Sequence, residues 1–185
     1  MKSKWLIAGL IVVAVSGLAA FRTIERKVFR RNLFRSKPVG ELYLIVDKSD
    51  YELKVYDAEG WYATYPVVFG NKDLSDKLIE GDRRTPEGTF KILSKKPHQK
   101  WHKMFMLDYP TPESWAKFKD RKAKGIIPQS AKIGGGIAIH GTWPHDELVV
   151  DDFTNWTNGC VALKNEDLDE LDGIVDIGTK VIIQR

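Results

Sequence analysis

The sequence predicts a mainly β domain, a sandwich or barrel with one or two short helices, preceded by an apolar helix at the N-terminus. Three observations support this prediction. Many short segments rich in β-branched and aromatic residues are separated by turn residues, helical patterns are few, and residues 5–21 carry no charge. With 43% hydrophobic and 11% aromatic residues, the chain has enough apolar side chains for a core, which excludes wholesale disorder.

Seven strands are predicted after Pro38 and Gly40, which end the preceding pattern. The third contains Pro66, whose missing N–H places this strand at a sheet edge or a bulge. The strands span residues 41–49, 51–60, 62–69, 89–93, 103–108, 136–140 and 180–184.

Two helices are predicted among these strands. One spans residues 111–124, with Thr111 as its N-cap and Pro112 in its first turn. The other spans residues 165–174, with Asn165 as its N-cap and acidic residues in its first turn. The basic stretch around Trp101, which lies between two histidines, is expected to be a solvated loop, with contact to the substrate as the alternative.

The N-terminal segment has the pattern of an export signal or a membrane anchor. Two lysines precede the uncharged run at 5–21, and small residues stand near its end. Its 17 residues are at the short limit for a spanning helix, and the lack of a clean Ala-x-Ala site slightly favours an anchor. We therefore divide the chain into a signal peptide or anchor (1–21), a basic linker (22–39) and a domain (40–185). The linker is expected either to lie on an anionic membrane surface or to be solvated.

The net charge of +4 comes from the N-terminal segment. Residues 1–37 hold nine of the 29 basic residues and one of the 25 acidic ones, which leaves 20 basic and 24 acidic residues, a net charge of −4, for the remainder. A domain that binds nucleic acid needs a basic face. We therefore expect no nucleic-acid partner.

The only cysteine, Cys160, follows a histidine that ends a predicted strand, His140. A thiol nucleophile needs a nearby base or a lowered pKa, because the thiolate is the reacting form. Asn158 and Gly159 predict a tight turn before the cysteine, whose N–H groups can hold an oxyanion. The segment therefore offers a nucleophile, a base and an anion site; a buried, unreactive cysteine is the alternative interpretation.

Two motifs in this sequence resemble those of the YkuD-type L,D-transpeptidases, enzymes of bacterial peptidoglycan. His140 is followed by 16 residues and then by Thr-Asn-Gly-Cys-Val at 157–161. The family pattern is a His, about 14 to 17 residues, and then [Ser/Thr]-His-Gly-Cys and an apolar residue. The family's upstream Thr-Pro-x-Gly-x-Phe turn stands at residues 85–90. The resemblance covers about residues 40–185 and implies the YkuD-like β-sandwich or barrel.

The resemblance also implies catalytic roles. Cys160 would attack the carbonyl carbon of a peptide bond and form a thioester. His140 would take the thiol proton and later protonate the leaving amine, with its imidazole oriented by the backbone carbonyl of Gly141. Backbone N–H groups of Asn158, Gly159 and Cys160 would hold the oxyanion.

Three further residues are candidates for the substrate site. Thr157 is expected to steady the turn, and Trp143 and Trp156 to line the peptide groove, although packing explains each tryptophan equally well. The chain departs from the family at two positions: Asn158 replaces the usual His, and Ala162 replaces an Arg or Asn. Both positions line the site in the family, so both departures bear on substrate choice.

The expected function is therefore a cysteine-dependent L,D-transpeptidase acting on peptidoglycan stem peptides, forming cross-links or attaching another amine. The alternatives are an L,D-carboxypeptidase or peptidoglycan hydrolase that uses the same acyl-enzyme, and a non-catalytic wall-binding module. His145 and its acidic neighbours lack the spacing of a metal site, so neither metal nor cofactor is expected. The expected location is the periplasm or cell envelope, with the inner membrane as a partner of residues 5–21. The basic residues after this run favour the opposite orientation, but the substrate lies outside the membrane.

Overall fold

Strands dominate the part of the chain that the structure describes, residues 37–185 of a computed structural model. The predicted apolar run at 5–21 lies outside the described residues, as does nearly all of the basic segment at 22–39. Pro38–Arg185 forms one compact unit. None of the helices in this unit is both long and apolar enough to cross a membrane.

Eight strands within residues 37–185 form a single sheet, which confirms the mainly β prediction. They are β1 (Tyr43–Asp47), β2 (Glu52–Asp57), β3 (Gly60–Pro66), β4 (Gly88–His98), β5 (His102–Leu107), β6 (Ala138–His140), β7 (Val161–Ala162) and β8 (Lys180–Gln184). Their order in space is β3-β2-β1-β8-β4-β5-β6-β7. β3, which ends at Pro66, is an outermost strand, as its proline predicted.

The two outermost strands meet just beyond the end of β3. Val68 and Ala162, the second residue of β7, exchange two backbone hydrogen bonds of 2.9 Å each. Alternate residues of β1 and β2 point into one apolar core, in which Leu44, Val46 and Val55 are completely buried. The sheet therefore curves so that β7 returns to the neighbourhood of β3.

Three helices accompany the sheet within residues 37–185: α1 (Pro112–Ala123), α2 (Leu148–Asp151) and α3 (Asn165–Asp172). Thr111 caps α1 as predicted, because its hydroxyl accepts a hydrogen bond from the N–H of Ser114. The predicted N-cap of α3 is wrong. Lys164 occupies the cap position, and Asn165 is the first helical residue. The amide oxygen of Asn165 instead accepts a hydrogen bond from the N–H of Thr142, 3.0 Å away, so a tertiary contact uses the side chain that would have capped the helix.

β4 is longer than predicted and pairs with two partners. Its first part, to Lys91, pairs with β8; from Ile92 to His98 it pairs with β5, with a bulge between Ile92 and Ser94. Lysines and a proline in residues 95–97 weaken the strand signal in the sequence, but cross-strand hydrogen bonds to β5 stabilise the hairpin. The expected loop around Trp101 is therefore limited to residues 99–101, the turn of a β-hairpin, and is wrong for the flanking residues, which are strand.

Candidate active site

His140 and Cys160 are brought together by two parallel neighbouring strands. Ile139 of β6 pairs with Val161 of β7, and His140 with Ala162. Cys160 directly precedes β7 and therefore lies across from the residue before Ile139. Side chains two residues apart share one face of a strand, so His140 and Cys160 are diagonal neighbours on the same face of this ladder.

The imidazole of His140 is held in a defined protonation state. Its Nδ1 lies 2.7 Å from the carbonyl oxygen of Gly141. Because a carbonyl oxygen only accepts, Nδ1 carries the hydrogen and Nε2 keeps its lone pair. The side chain is 1% exposed, and this burial lowers the pKa of His140 to about 4. Nε2 is therefore free to take a proton at neutral pH.

The thiol of Cys160 is partly buried and protonated. Its Sγ donates a weak hydrogen bond to the carbonyl oxygen of Gly136, 3.6 Å away. Burial raises the pKa of Cys160. A hydrogen bond with the backbone of Ala138 and the positive charge of Lys77 lower it, but they do not outweigh burial. The pair at rest is therefore a neutral thiol beside a neutral imidazole, and a thiolate forms only when the proton is transferred.

The turn before Cys160 is stabilised by Thr157. The N–H of Gly159 donates to Thr157 Oγ1 at 3.2 Å, and the Thr157 hydroxyl donates to the carbonyl oxygen of Cys160 at 2.8 Å. These are the contacts that a steadying role for Thr157 requires. The N–H of Gly159 is therefore engaged by Thr157, whereas the oxyanion donor expected at this position needs a free N–H. The N–H groups of Asn158 and Cys160 have no hydrogen-bond acceptor among residues 37–185.

Gly159 also meets a conformational requirement at this turn. Its φ of +115° is unfavourable for any side chain, and an added Cβ would lie 2.6 Å from the carbonyl oxygen of Arg84. Arg84 immediately precedes the Thr-Pro turn. The cysteine motif is therefore packed against the residue that leads into the Thr-Pro motif.

The backbone of Phe69 and Gly70 supports the same turn from behind. The carbonyl oxygen of Phe69 accepts hydrogen bonds from the N–H groups of Trp156 (2.8 Å) and Thr157 (3.1 Å). An added Cβ at Gly70 would lie 2.5 Å from the carbonyl oxygen of Thr157 and 2.7 Å from the nitrogen of Gly159. Only glycine permits this close approach of two backbone segments.

A buried lysine anchors the Thr-Pro turn to the sheet. Lys48, directly after β1, is 1% exposed. Its Nζ donates to the carbonyl oxygens of Ser75 and Thr85 at 3.2 Å each and pairs with the carboxylate of Glu87 at 2.8 Å. The position of the upstream motif therefore depends on a charge inside the domain.

Aromatic rings enclose the imidazole of His140. The ring of Trp101 stacks on it, with centroids 4.8 Å apart, and that of Trp156 meets it nearly edge-on at 5.3 Å. Trp156 in turn contacts Trp143 at 4.0 Å, and Trp143 is partly open to solvent. Of the two predicted groove tryptophans, Trp156 thus lies beside the histidine, and Trp143 lies against Trp156. Trp101 also lies beside the histidine, although the sequence did not single it out; continued strand pairing through the basic stretch was the missing signal.

The two departures from the family differ in their surroundings. Asn158 is exposed beside Cys160. Ala162 is completely buried and packs with Val68 and Val150. Ala162 pairs with His140 in the β6–β7 ladder, but its burial means that position 162 presents no exposed surface to a substrate.

Comparisons with known proteins agree with this geometry. The YkuD family model, described as the L,D-transpeptidase catalytic domain, matches residues 41–183. A candidate L,D-transpeptidase encoded in the ATP synthase subunits region of Fuscovulum blasticum is 27% identical over 185 residues, covering 94% of this chain and 88% of that protein. The candidate L,D-transpeptidase YqjB of Bacillus subtilis strain 168 is 28% identical over 148 residues, covering 78% of this chain and 72% of YqjB.

Solved structures share the same fold. The helical cell shape determining protein Pgp2 of Campylobacter jejuni, as its K307A mutant, is 26% identical with a TM-score of 0.57, covering 85% of this chain and 50% of Pgp2. Bd1075 of Bdellovibrio bacteriovorus is 20% identical with a TM-score of 0.55, covering 78% of this chain and 48% of Bd1075. The chain thus spans about half the length of these two structures.

Proposed function

Because the chain belongs to the YkuD family of L,D-transpeptidase catalytic domains, we propose that it is a cysteine-dependent L,D-transpeptidase that acts on peptidoglycan stem peptides through a thioester on Cys160. One observation carries the proposal. Cys160 and His140 lie on one face of adjacent strands, and the bond to Gly141 leaves Nε2 of His140 free to accept a proton.

Acylation begins with a proton transfer between neutral groups. His140 takes the thiol proton of Cys160, and the thiolate attacks the carbonyl carbon of the scissile peptide bond. The carbonyl oxygen becomes an oxyanion. The free N–H groups of Asn158 and Cys160 are the donors for it, since that of Gly159 is occupied by Thr157. The C–N bond then breaks, and the proton held by His140 passes to the leaving amine.

The acceptor decides the outcome of the second half-reaction. An amine that loses a proton to His140 attacks the thioester, the C–S bond breaks, and the Cys160 thiolate takes the proton back from His140, which leaves a new peptide bond and the free enzyme; this is transpeptidation. Water attacking in the same way gives an L,D-carboxypeptidase or hydrolase. The exposed amide of Asn158 beside Cys160 is neutral at every relevant pH, so it offers no charge to hold an anionic acceptor in place of water.

The location follows from the substrate. Peptidoglycan lies outside the inner membrane, so residues 40–185 act in the periplasm or cell envelope, with 1–21 as a signal peptide or anchor and 22–39 as a linker. A C-terminal alkaline phosphatase fusion is expected to be active. An inactive phosphatase together with an active cytoplasmic reporter at the same point would contradict this location.

Mass analysis of products tests the reaction. The full-length protein is incubated with tetrapeptide-bearing peptidoglycan fragments, and the Cys160→Ala variant serves as the control. Cross-linked products support transpeptidation, and trimmed monomers without cross-links support the carboxypeptidase. Products that persist in Cys160→Ala would overturn the thioester mechanism, and unchanged fragments with the wild type would favour a wall-binding module.

A further inference from the structure

The end of the β4–β5 hairpin forms a three-ring stack that ends on His140. Trp101 lies nearly parallel to the imidazole of His140, at an interplanar angle of 22°. Its other face carries the ring of His98, with centroids 4.6 Å apart and an interplanar angle of 9°. The indole therefore covers one face of the imidazole and separates it from a second histidine.

The same hairpin also hydrogen-bonds to Gly141, the residue whose carbonyl orients the imidazole. The N–H of Gly141 donates to the carbonyl oxygen of Trp101 at 3.1 Å, and more weakly to that of Lys103 at 3.3 Å. The carbonyl oxygen of Gly141 accepts from Nδ1 of His140. Trp101 thus acts on His140 twice, through its ring and through the backbone of Gly141.

Side chains at both ends of the turn fix the position of Trp101. Nδ1 of His98 accepts hydrogen bonds from the N–H groups of Lys100 and Trp101, both at 3.2 Å. At the other end, Nε2 of His102 lies 2.7 Å from a carboxylate oxygen of Asp169 in α3. Lys103 pairs with the same carboxylate at 2.7 Å. The hairpin end is therefore tied both to itself and to a helix.

We infer that the hairpin end, residues 98–102, is a positioning element for His140 and that Trp101 is its principal positioning residue. The inference rests on the proposed function, in which His140 is the base. The indole fixes the plane of the imidazole and excludes water from one of its faces. The titratable groups that face His140 are His98 beyond the indole and Cys160 on the neighbouring strand.

Substitutions at Trp101 separate positioning from general packing. Trp101→Phe keeps an aromatic ring in the stack, whereas Trp101→Leu removes it. Trp101→Leu is expected to lower kcat between about 10- and 100-fold with a much smaller change in KM, because a misplaced base affects the chemical step. It should also raise the pKa of His140, measured by NMR titration, since water reaches the ring. Trp101→Phe should restore most of kcat. The control is Trp115→Leu on α1, which is 43% exposed and should change neither quantity.

Substitutions at His98 test the element without changing the indole. Asn places an oxygen where Nδ1 stands and can accept from N–H groups two and three residues later, whereas Ala cannot. His98→Ala should lower kcat and His98→Asn should keep it. These two variants test the positioning role of the hairpin end even if Trp101→Leu fails to fold.

The variant His140→Ala distinguishes this inference from the proposed function. The rate of Cys160 alkylation by iodoacetamide at neutral pH reports the thiolate population without peptidoglycan. If His140→Ala leaves both alkylation and turnover unchanged, the proposed function fails. If His140→Ala removes turnover but Trp101→Leu and His98→Ala keep wild-type kcat and the wild-type His140 titration, the positioning inference is wrong.

Discussion

The carbonyl oxygen of Gly141 lies 2.7 Å from Nδ1 of His140, so a backbone atom next in sequence fixes the tautomer of the imidazole. A carboxylate in this place would add a charge that raises the pKa of the histidine. A neutral carbonyl favours the charged form much less, and burial dominates. The histidine therefore remains an unprotonated base at neutral pH.

Gly141→Ala tests how closely this backbone is packed. An added Cβ would overlap the amide oxygen of Asn165 and lie 3.0 Å from the carbonyl oxygen of Trp101. We expect a loss of about 1–3 kcal/mol in the free energy of unfolding and a lower kcat, because relieving the clash moves the carbonyl away from His140. Urea denaturation and steady-state kinetics measure the two effects. Gly173→Ala is the matched control, since its added Cβ would make only ordinary contacts, 3.5 Å or longer; equal behaviour of the two variants would contradict the prediction.

The pH dependence of activity follows from a neutral pair. Burial lowers the pKa of His140 to about 4 and raises that of Cys160. Activity should therefore fall only as the pH drops through about 4, where the imidazole becomes protonated and cannot accept the thiol proton. Above that value a broad plateau is expected through neutral pH. A kcat profile that instead rises between pH 6 and 8 (roughly the range of an unperturbed histidine) would contradict this assignment.

The same pKa shift predicts a pH dependence of stability. The unfolded chain protonates His140 at about pH 6.5, whereas the folded chain does so at about 4. Between these values the unfolded state binds more protons, so the free energy of unfolding falls as the pH is lowered. The contribution is fully present above pH 6.5 and lost by pH 4. Comparing the denaturation of wild type and His140→Leu between pH 4 and 7 isolates it, because the variant lacks this titration; identical pH slopes would refute the prediction.

The sequence predicted the strands with alternating patterns well, and the helix α1 with its cap at Thr111. It failed where tertiary contacts override local signals. Asn165 is a good N-cap by type, but its amide serves Thr142 across the fold. Residues 95–98 look like a charged loop, yet pairing with β5 extends the strand and brings Trp101 onto His140. The proposed nucleophile and base followed from the two motifs that resemble those of the YkuD family, whereas the groups around them could not be predicted.

Lys48→Met tests the anchor of the Thr-Pro turn. Met preserves most of the buried side-chain volume but removes the hydrogen bonds to Ser75 and Thr85 and the ion pair to Glu87. Two buried or half-buried carbonyl oxygens lose their donor, which costs about 1–3 kcal/mol in the free energy of unfolding. Lys54→Met is the control, because its ion pairs lie at the surface and should contribute less than about 1 kcal/mol. The turn is not anchored by Lys48 if both variants unfold at the same urea concentration.

Substitutions at Asn158 and Ala162 are expected to have different effects, although both residues depart from the family pattern. Ala162→Arg should destabilise the domain and lower activity together with stability, because it forces a charge into the interior beside Val68 and Val150, across from His140. Asn158→His changes an exposed position next to Cys160.

Asn158→His adds a group that titrates near neutral pH. Its protonated form would attract an anionic stem peptide by up to about 1 kcal/mol and lower the pKa of Cys160. We therefore expect a lower KM, faster alkylation of Cys160 below pH 7, and a second titration in the activity profile. The ratio of transpeptidation to hydrolysis should rise if an anionic acceptor then competes better with water. Asn158→Gln is the matched control, since it keeps a neutral amide and should leave all four quantities near their wild-type values. If Asn158→His behaves like Asn158→Gln, the departure from the family at position 158 reflects neutral drift, and this residue does not determine which acceptor reacts.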